Sequence, residues 1–144
     1  SSAEPVIAST LTGSPALAVT NTTGVLPVGV TGQHLCKAWV NFNGQTANPA
    51  TMFDSLNVTS VTNHGTGRFT VNLTVTQPSI NYTVVVTAGF DAGGVSPVGI
   101  VGIHGDCSTG NEVAPTTTAF FISTTQHAGT AKDFKYVSAM VFGD

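Results

Sequence analysis

The chain has 144 residues, of which 41% are hydrophobic and only 8% are charged, with four Lys and Arg against seven Asp and Glu. This composition excludes intrinsic disorder, which needs low hydrophobicity and high net charge. Four cations are too few for the basic surface that binds nucleic acid or an anionic membrane. No run of about 18 apolar residues occurs, so we expect no membrane insertion. The length suits one domain, or one domain with an arm.

The N-terminal part of the chain carries an unusual shortage of charge. Residues 5–36 contain no Asp, Glu, Lys or Arg. Such a segment is too long to lie wholly within the core of a small domain, and charge is disfavoured at the buried centre of a subunit interface. We therefore predict that residues 1–36 form an arm or stem at a subunit interface, ahead of a domain over residues 37–144. An early strand with loops is the alternative.

Strand-forming residues dominate, because Thr and Val are the most abundant residue types. Alternation of apolar and polar residues predicts a strand at Ala38–Phe42, then a strand through Leu56 and Val58 that ends near Val61. After a turn at residues 63–67, it predicts a strand from Phe69 to Val75. Residues 80–88 are expected to pair with that strand across a short Pro-containing turn.

Two late strands, residues 118–125 and 136–142, flank a polar loop at 125–130. Residues 89–115 look irregular, and a long segment without regular structure is usually functional or mobile. The sequence as a whole predicts an all-β fold, an antiparallel β-sandwich or jelly-roll-like knob that follows a mostly uncharged N-terminal arm.

Four segments resemble one known family. KAWVNFNG at residues 37–44 is similar to the opening motif of the C-terminal knob domain of tailed-phage tail fibres. LNVTSVTNHGTGRFTVNL at 56–73 resembles the central hairpin of that family, NYTVVV at 81–86 its next strand, and VSAMVFG at 137–143 its closing segment. The resemblance covers residues 37–144, about three quarters of the chain.

The resemblance implies a homotrimeric knob at the exposed end of a virion fibre. Its implied role is adhesion to a host-surface glycan or outer-membrane protein, in a virion that assembles in the bacterial cytoplasm and acts outside the cell. Other virion proteins would be its partners. Because related folds serve as head fibres and capsid decorations, a capsid-stabilising protein is the alternative. The Thr-rich β composition alone leaves a secreted carbohydrate-binding module as a third class.

Receptor contact is predicted on the loops at residues 63–67, 90–114 and 125–132, since binding residues are commonly carried on loops. The candidate side chains are Asn63, His64, Asp91, Asp106, Asn111, Glu112 and His127. The oxygen-bearing residues among them at 91–112 could also hold Ca²⁺, but carboxylates in a long loop are more often solvated.

No cofactor, metal or enzymatic activity is expected. His34, Cys36, His104 and Cys107 are weak zinc candidates whose spacing matches no recognised site. The two cysteines are expected to be free thiols rather than a disulfide. No Gly-x-Ser-x-Gly or P-loop motif occurs, and the carboxylates are scattered. Trp39 lies opposite the apolar residues of its strand, as a packing residue or as a platform for a sugar ring.

Overall fold

A computed structural model describes residues 35–90 and 99–143. Over these ranges the chain forms β1 (Cys36–Asn43), β2 (Thr51–Leu56), β3 (Val58–Asn63), β4 (Arg68–Leu73), β5 (Thr83–Gly89), β6 (Ile100–Ile103), β7 (Ala119–Thr125) and β8 (Tyr136–Phe142). Sheet A has the order β2-β1-β8-β5, and sheet B has the order β3-β4-β7-β6. All neighbouring strands are antiparallel. The predicted all-β sandwich is confirmed. Apart from Leu35 and Cys36, the predicted arm lies outside the described residues.

The core lies between the inner faces of the two sheets. In β1, Ala38, Val40 and Phe42 are at most 2% exposed, as their alternation with polar residues predicts. The inner residues of sheet B meet them, and the rings of Phe42 and Phe69 pack edge to face with centroids 5.2 Å apart. The predicted inward faces of β1 and β4 are therefore confirmed.

The chain passes from sheet A to sheet B at Asn57, which has a φ of 56°. Asn tolerates this left-handed conformation better than most residues. Its side-chain amide donates to the carbonyl oxygen of Lys37, and its Oδ1 accepts from the backbone N–H of Val75. The prediction that Leu56 and Val58 share a strand is therefore wrong, because the corner at Asn57 places them in different sheets.

The expected hairpin between residues 69–75 and 80–88 is also wrong. β4 pairs with β3 and β7 in sheet B, whereas β5 pairs with β8 in sheet A. The nine residues between β4 and β5 exceed the usual length of a hairpin loop, which is about two to five residues. They cross between the sheets, and Val75 and Ile80 are 44% and 51% exposed rather than buried.

The irregular segment predicted at residues 89–115 contains a strand. β6 pairs with β7 in register from Ile100–Thr125 to Ile103–Ile122. Because Gly and Pro interrupt this segment, its short apolar run does not show the alternation that reveals the other strands. The chain after β6 then returns toward the start of β4, where the Cys107 amide donates to the Ser123 hydroxyl.

Candidate functional site

Residues 132–135 join four parts of the chain at one end of the sandwich. Gly44 donates to the Phe134 carbonyl at 3.0 Å, Gly67 donates to the Asp133 carboxylate at 2.7 Å, Lys132 donates to the Thr124 carbonyl at 3.0 Å, and Lys135 donates to the Phe90 carbonyl at 2.8 Å. We call the turns gathered here the loop end. These bonds fix it to both sheets, since Gly44 follows β1 of sheet A and Gly67 precedes β4 of sheet B.

An ion pair fastens the loop after β6 to the β3–β4 turn. Arg68 Nε donates to Asp106 Oδ1 at 2.9 Å, and Nη2 donates to Oδ2 at 2.6 Å. The Asp106 side chain is 8% exposed and the Arg68 side chain 29%. Arg68 also donates to the carbonyl of His64. This two-bond geometry is the strongest arrangement of guanidinium and carboxylate, so it holds two of the predicted contact loops together.

The Arg68–Asp106 pair makes stability depend on pH. Hydrogen bonds from Arg68 are the largest cause that holds the pKa of Asp106 below its ordinary value despite burial. The hydrogen bond from the Ser108 amide is the next largest. A carboxyl whose pKa is lower in the folded state stabilises the fold fully above its unfolded pKa of about 3.9, and this stabilisation is lost as the pH falls through the folded pKa. We expect Asp106→Asn to flatten the acid side of the curve of unfolding free energy against pH, measured by urea denaturation.

Arg68→Met supplies the matched test. It should flatten the acid limb in part, since the Ser108 amide still donates to Asp106, and the double variant should behave as Asp106→Asn alone, because that substitution already removes the titrating carboxyl. Additive effects of the two variants on the acid limb would contradict this assignment.

Among the predicted contact residues, Asn63 and Asp106 serve the scaffold. Asn63 Oδ1 accepts from the Gly65 amide, and its Nδ2 donates to the Thr46 carbonyl. Both groups of Asn63 are therefore used to shape the turn. The carboxylate of Asp106 is engaged by Arg68, so it is not free for a receptor or for Ca²⁺.

The remaining described candidates are exposed. His64 rests on the buried ring of Phe121, with centroids 5.9 Å apart, and its Nε2 lies 2.9 Å from the Thr70 hydroxyl. Asn111 and Glu112 lie on the loop after β6, and His127 lies on the turn after β7. Their side chains are thus presented to solvent. Asp91 and His34 lie outside the described residues.

The structure separates the two cysteines. Cys36 pairs with Phe142 at the start of β1, whereas Cys107 Sγ lies 3.6 Å from the Gly67 carbonyl at the loop end. The eight residues of β1 span about 23 Å. A disulfide needs Cα atoms within about 7 Å, so both thiols are free. Residues 35–90 and 99–143 contain no group of three or more potential metal ligands.

The outer face of sheet A presents apolar side chains. Trp39, Met140 and Val85 lie side by side across β1, β8 and β5. They line a groove of about 190 Å³ with Asn41, Thr87 and Ser138. Trp39 is only partly buried there, so it lies on the outer face, as its place in the alternation predicts.

Three exposed aromatic residues that the sequence does not predict to be functional lie beside the loop end. Phe53, Tyr136 and Phe90 are 46%, 45% and 51% exposed. The Tyr136 ring lies 5.5 Å from Phe53 and 6.3 Å from Phe90, centroid to centroid. We call these three residues the aromatic cluster. The alternation in β8 carried a signal, since Tyr136 and Met140 occupy the positions opposite Val137 and Val141.

The outer face of sheet B near β3 and β4 is polar by contrast. The Asn72 amide donates to the hydroxyls of Ser60 and Thr62, and the hydroxyls of Thr59 and Thr74 lie 2.9 Å apart. These polar side chains on the outer face of sheet B therefore hydrogen-bond to one another. Exposed aromatic surface beside the loop end therefore belongs to sheet A and its connections.

No family model, curated protein or solved structure matches this chain. Within residues 35–90 and 99–143, no helix has the length and apolar character needed to cross a membrane.

Proposed function

We propose that this chain is a non-enzymatic adhesion domain of a phage virion, the knob of a homotrimeric fibre that contacts a host-surface glycan or outer-membrane protein. One observation carries the proposal: residues 132–135 bind the turns of the loop end to a rigid two-sheet framework. A rigid framework that presents exposed loops is typical of a binding protein. The residues that resemble tail-fibre knobs supply the framework strands β1, β3, β4 and β8 and the first part of β5.

Binding to bacterial envelopes tests the adhesion role. Labelled protein is mixed with envelope fragments from a panel of strains, and the bound fraction is measured after sedimentation. Alanine at Asn111, Glu112 and His127 together removes exposed side chains of two predicted contact loops, and we expect it to reduce binding. Thr83→Ala is the control, because Thr83 is exposed where β5 pairs with Phe142, far from the loop end. No binding to any envelope by the unaltered protein would refute the adhesion role.

A trimer is the expected state in solution. The charge-free segment at residues 5–36 supports this, since the centre of a subunit interface is poor in charge. Light scattering should give three times the chain mass of 14.6 kDa. A monomer at micromolar concentration would contradict the trimer.

The alternative is a capsid-decorating protein or head fibre, with residues 5–36 clamping the capsid lattice. Antibody labelling of virions separates these roles, because the fibre proposal places the label on the tail and the alternative places it on the head.

A further inference from the structure

We propose that the aromatic cluster is a sugar-binding site that stacks a hexopyranose ring of a host-surface glycan against Tyr136. This inference rests on the proposed adhesion function and names its ligand class. The three side chains of the aromatic cluster come from different elements: Phe53 from β2, Tyr136 from the first position of β8, and Phe90 from the bend after β5. Their meeting on one surface is therefore a product of the fold.

The backbone at Phe90 favours a role beyond packing. Phe90 has a φ of 60°, a conformation that a bulky residue adopts only when the surrounding structure imposes it. Its carbonyl accepts from the Lys135 amide at 2.8 Å, which ties the bend to the residue before Tyr136. The strained bend turns an aromatic side chain outward, where burial would ordinarily be more favourable. Strain of this kind clusters at binding sites.

The geometry of the rings suits a sugar. Tyr136 is tilted by 38° from Phe53 and by 52° from Phe90, so the three rings do not lie in one plane and each presents a face or edge of its own. The C–H faces of a pyranose are apolar and pack on aromatic rings, while the Tyr136 hydroxyl can exchange hydrogen bonds with sugar hydroxyls. Lys135 Nζ lies over one face of the Tyr136 ring, 5.4 Å from its centroid, and supplies donors to a sugar stacked beside it or on the other face.

The size of the cluster argues against a protein occupant. If a fully exposed aromatic residue offers about 200 Å², the exposed fractions leave roughly 300 Å² on the three residues. A stable protein–protein interface buries about 800 Å² per partner. A second copy of this chain would therefore need the neighbouring outer face of sheet A as well as the cluster, whereas a short run of sugar rings would need the cluster alone.

Calorimetric titration of the full chain with malto-, cello- and manno-oligosaccharides tests the proposal. We expect at least one of them to bind, and Tyr136→Ala to weaken its binding about tenfold or more, equivalent to about 1.4 kcal/mol. Tyr136→Phe keeps the ring and should retain most of the affinity. Met140→Ala is the matched control, because Met140 is 44% exposed on the same strand and face but outside the cluster.

Three outcomes would overturn the sugar site. The first is that none of these oligosaccharides binds. The second is that the unaltered protein and Tyr136→Ala bind equally well. The third is that an assembly of the chain dissociates in both Tyr136→Ala and Phe53→Ala while no sugar binds. Envelope binding that survives in Tyr136→Ala would overturn the sugar site and leave the adhesion role intact. Oligosaccharide binding without envelope binding would overturn the adhesion role and leave the sugar site intact.

Discussion

Replacing Phe69 with alanine should lower the free energy of unfolding by about 3–5 kcal/mol. Phe69 is fully buried and lies on β4, a central strand of sheet B between β3 and β7. Its ring packs on Phe42 of sheet A, so its removal leaves a cavity at the contact between the two sheets. Domains of this size are stable by only about 5–15 kcal/mol. Urea unfolding followed by far-ultraviolet circular dichroism measures the loss.

Phe53→Ala is the matched control for this prediction. It also removes a phenyl ring, but from a strand position that is 46% exposed, and we expect it to lower the free energy of unfolding by less than about 1 kcal/mol. Equal losses in the two variants would contradict the assignment of the core. A small loss in Phe53→Ala also makes this variant suitable for binding experiments, because any change in affinity would then not reflect unfolding.

The sequence predicts buried faces better than it predicts strand partners. Alternation with a period of two residues identifies the inward positions of β1 and β4, because burial of one face acts on each strand separately. Pairing depends on which strands meet in space. β4 and β5 show the same alternation, and nothing within either strand specifies that β4 joins β7 while β5 joins β8.

The candidate site was predictable only in part. The loops were located from their turn residues, but Arg68 and Asp106 are 38 positions apart, and no local pattern joins them. Asp106 consequently looked like a free carboxylate. Phe90 could not be recognised as exposed, because its orientation follows from a left-handed backbone at the end of β5. Both features depend on the tertiary arrangement of the loop end.

Substituting alanine for Gly67 should have a large effect at the loop end, with an expected loss of about 2–5 kcal/mol in unfolding free energy. Gly67 has a φ of 69°, which disfavours any side chain. A Cβ at this position would collide with the Thr124 carbonyl oxygen and lie 3.0 Å from the Lys132 amide nitrogen. Both neighbours are backbone atoms, so a rotamer change cannot relieve the contact.

The collision can be separated from the backbone strain by Gly129→Ala. Gly129 has a φ of 78°, but an added Cβ would meet no atom within 4 Å, so this variant should lose only the roughly 1–2 kcal/mol of left-handed strain.

Displacing Gly67 would also disturb its 2.7 Å bond to the Asp133 carboxylate and its 2.8 Å bond from the Thr124 amide. We therefore expect envelope binding to fall in Gly67→Ala even where it remains folded. Equal unfolding free energies for the two variants would mean that the turn adjusts freely, and that the loop end is not held rigidly by residues 132–135.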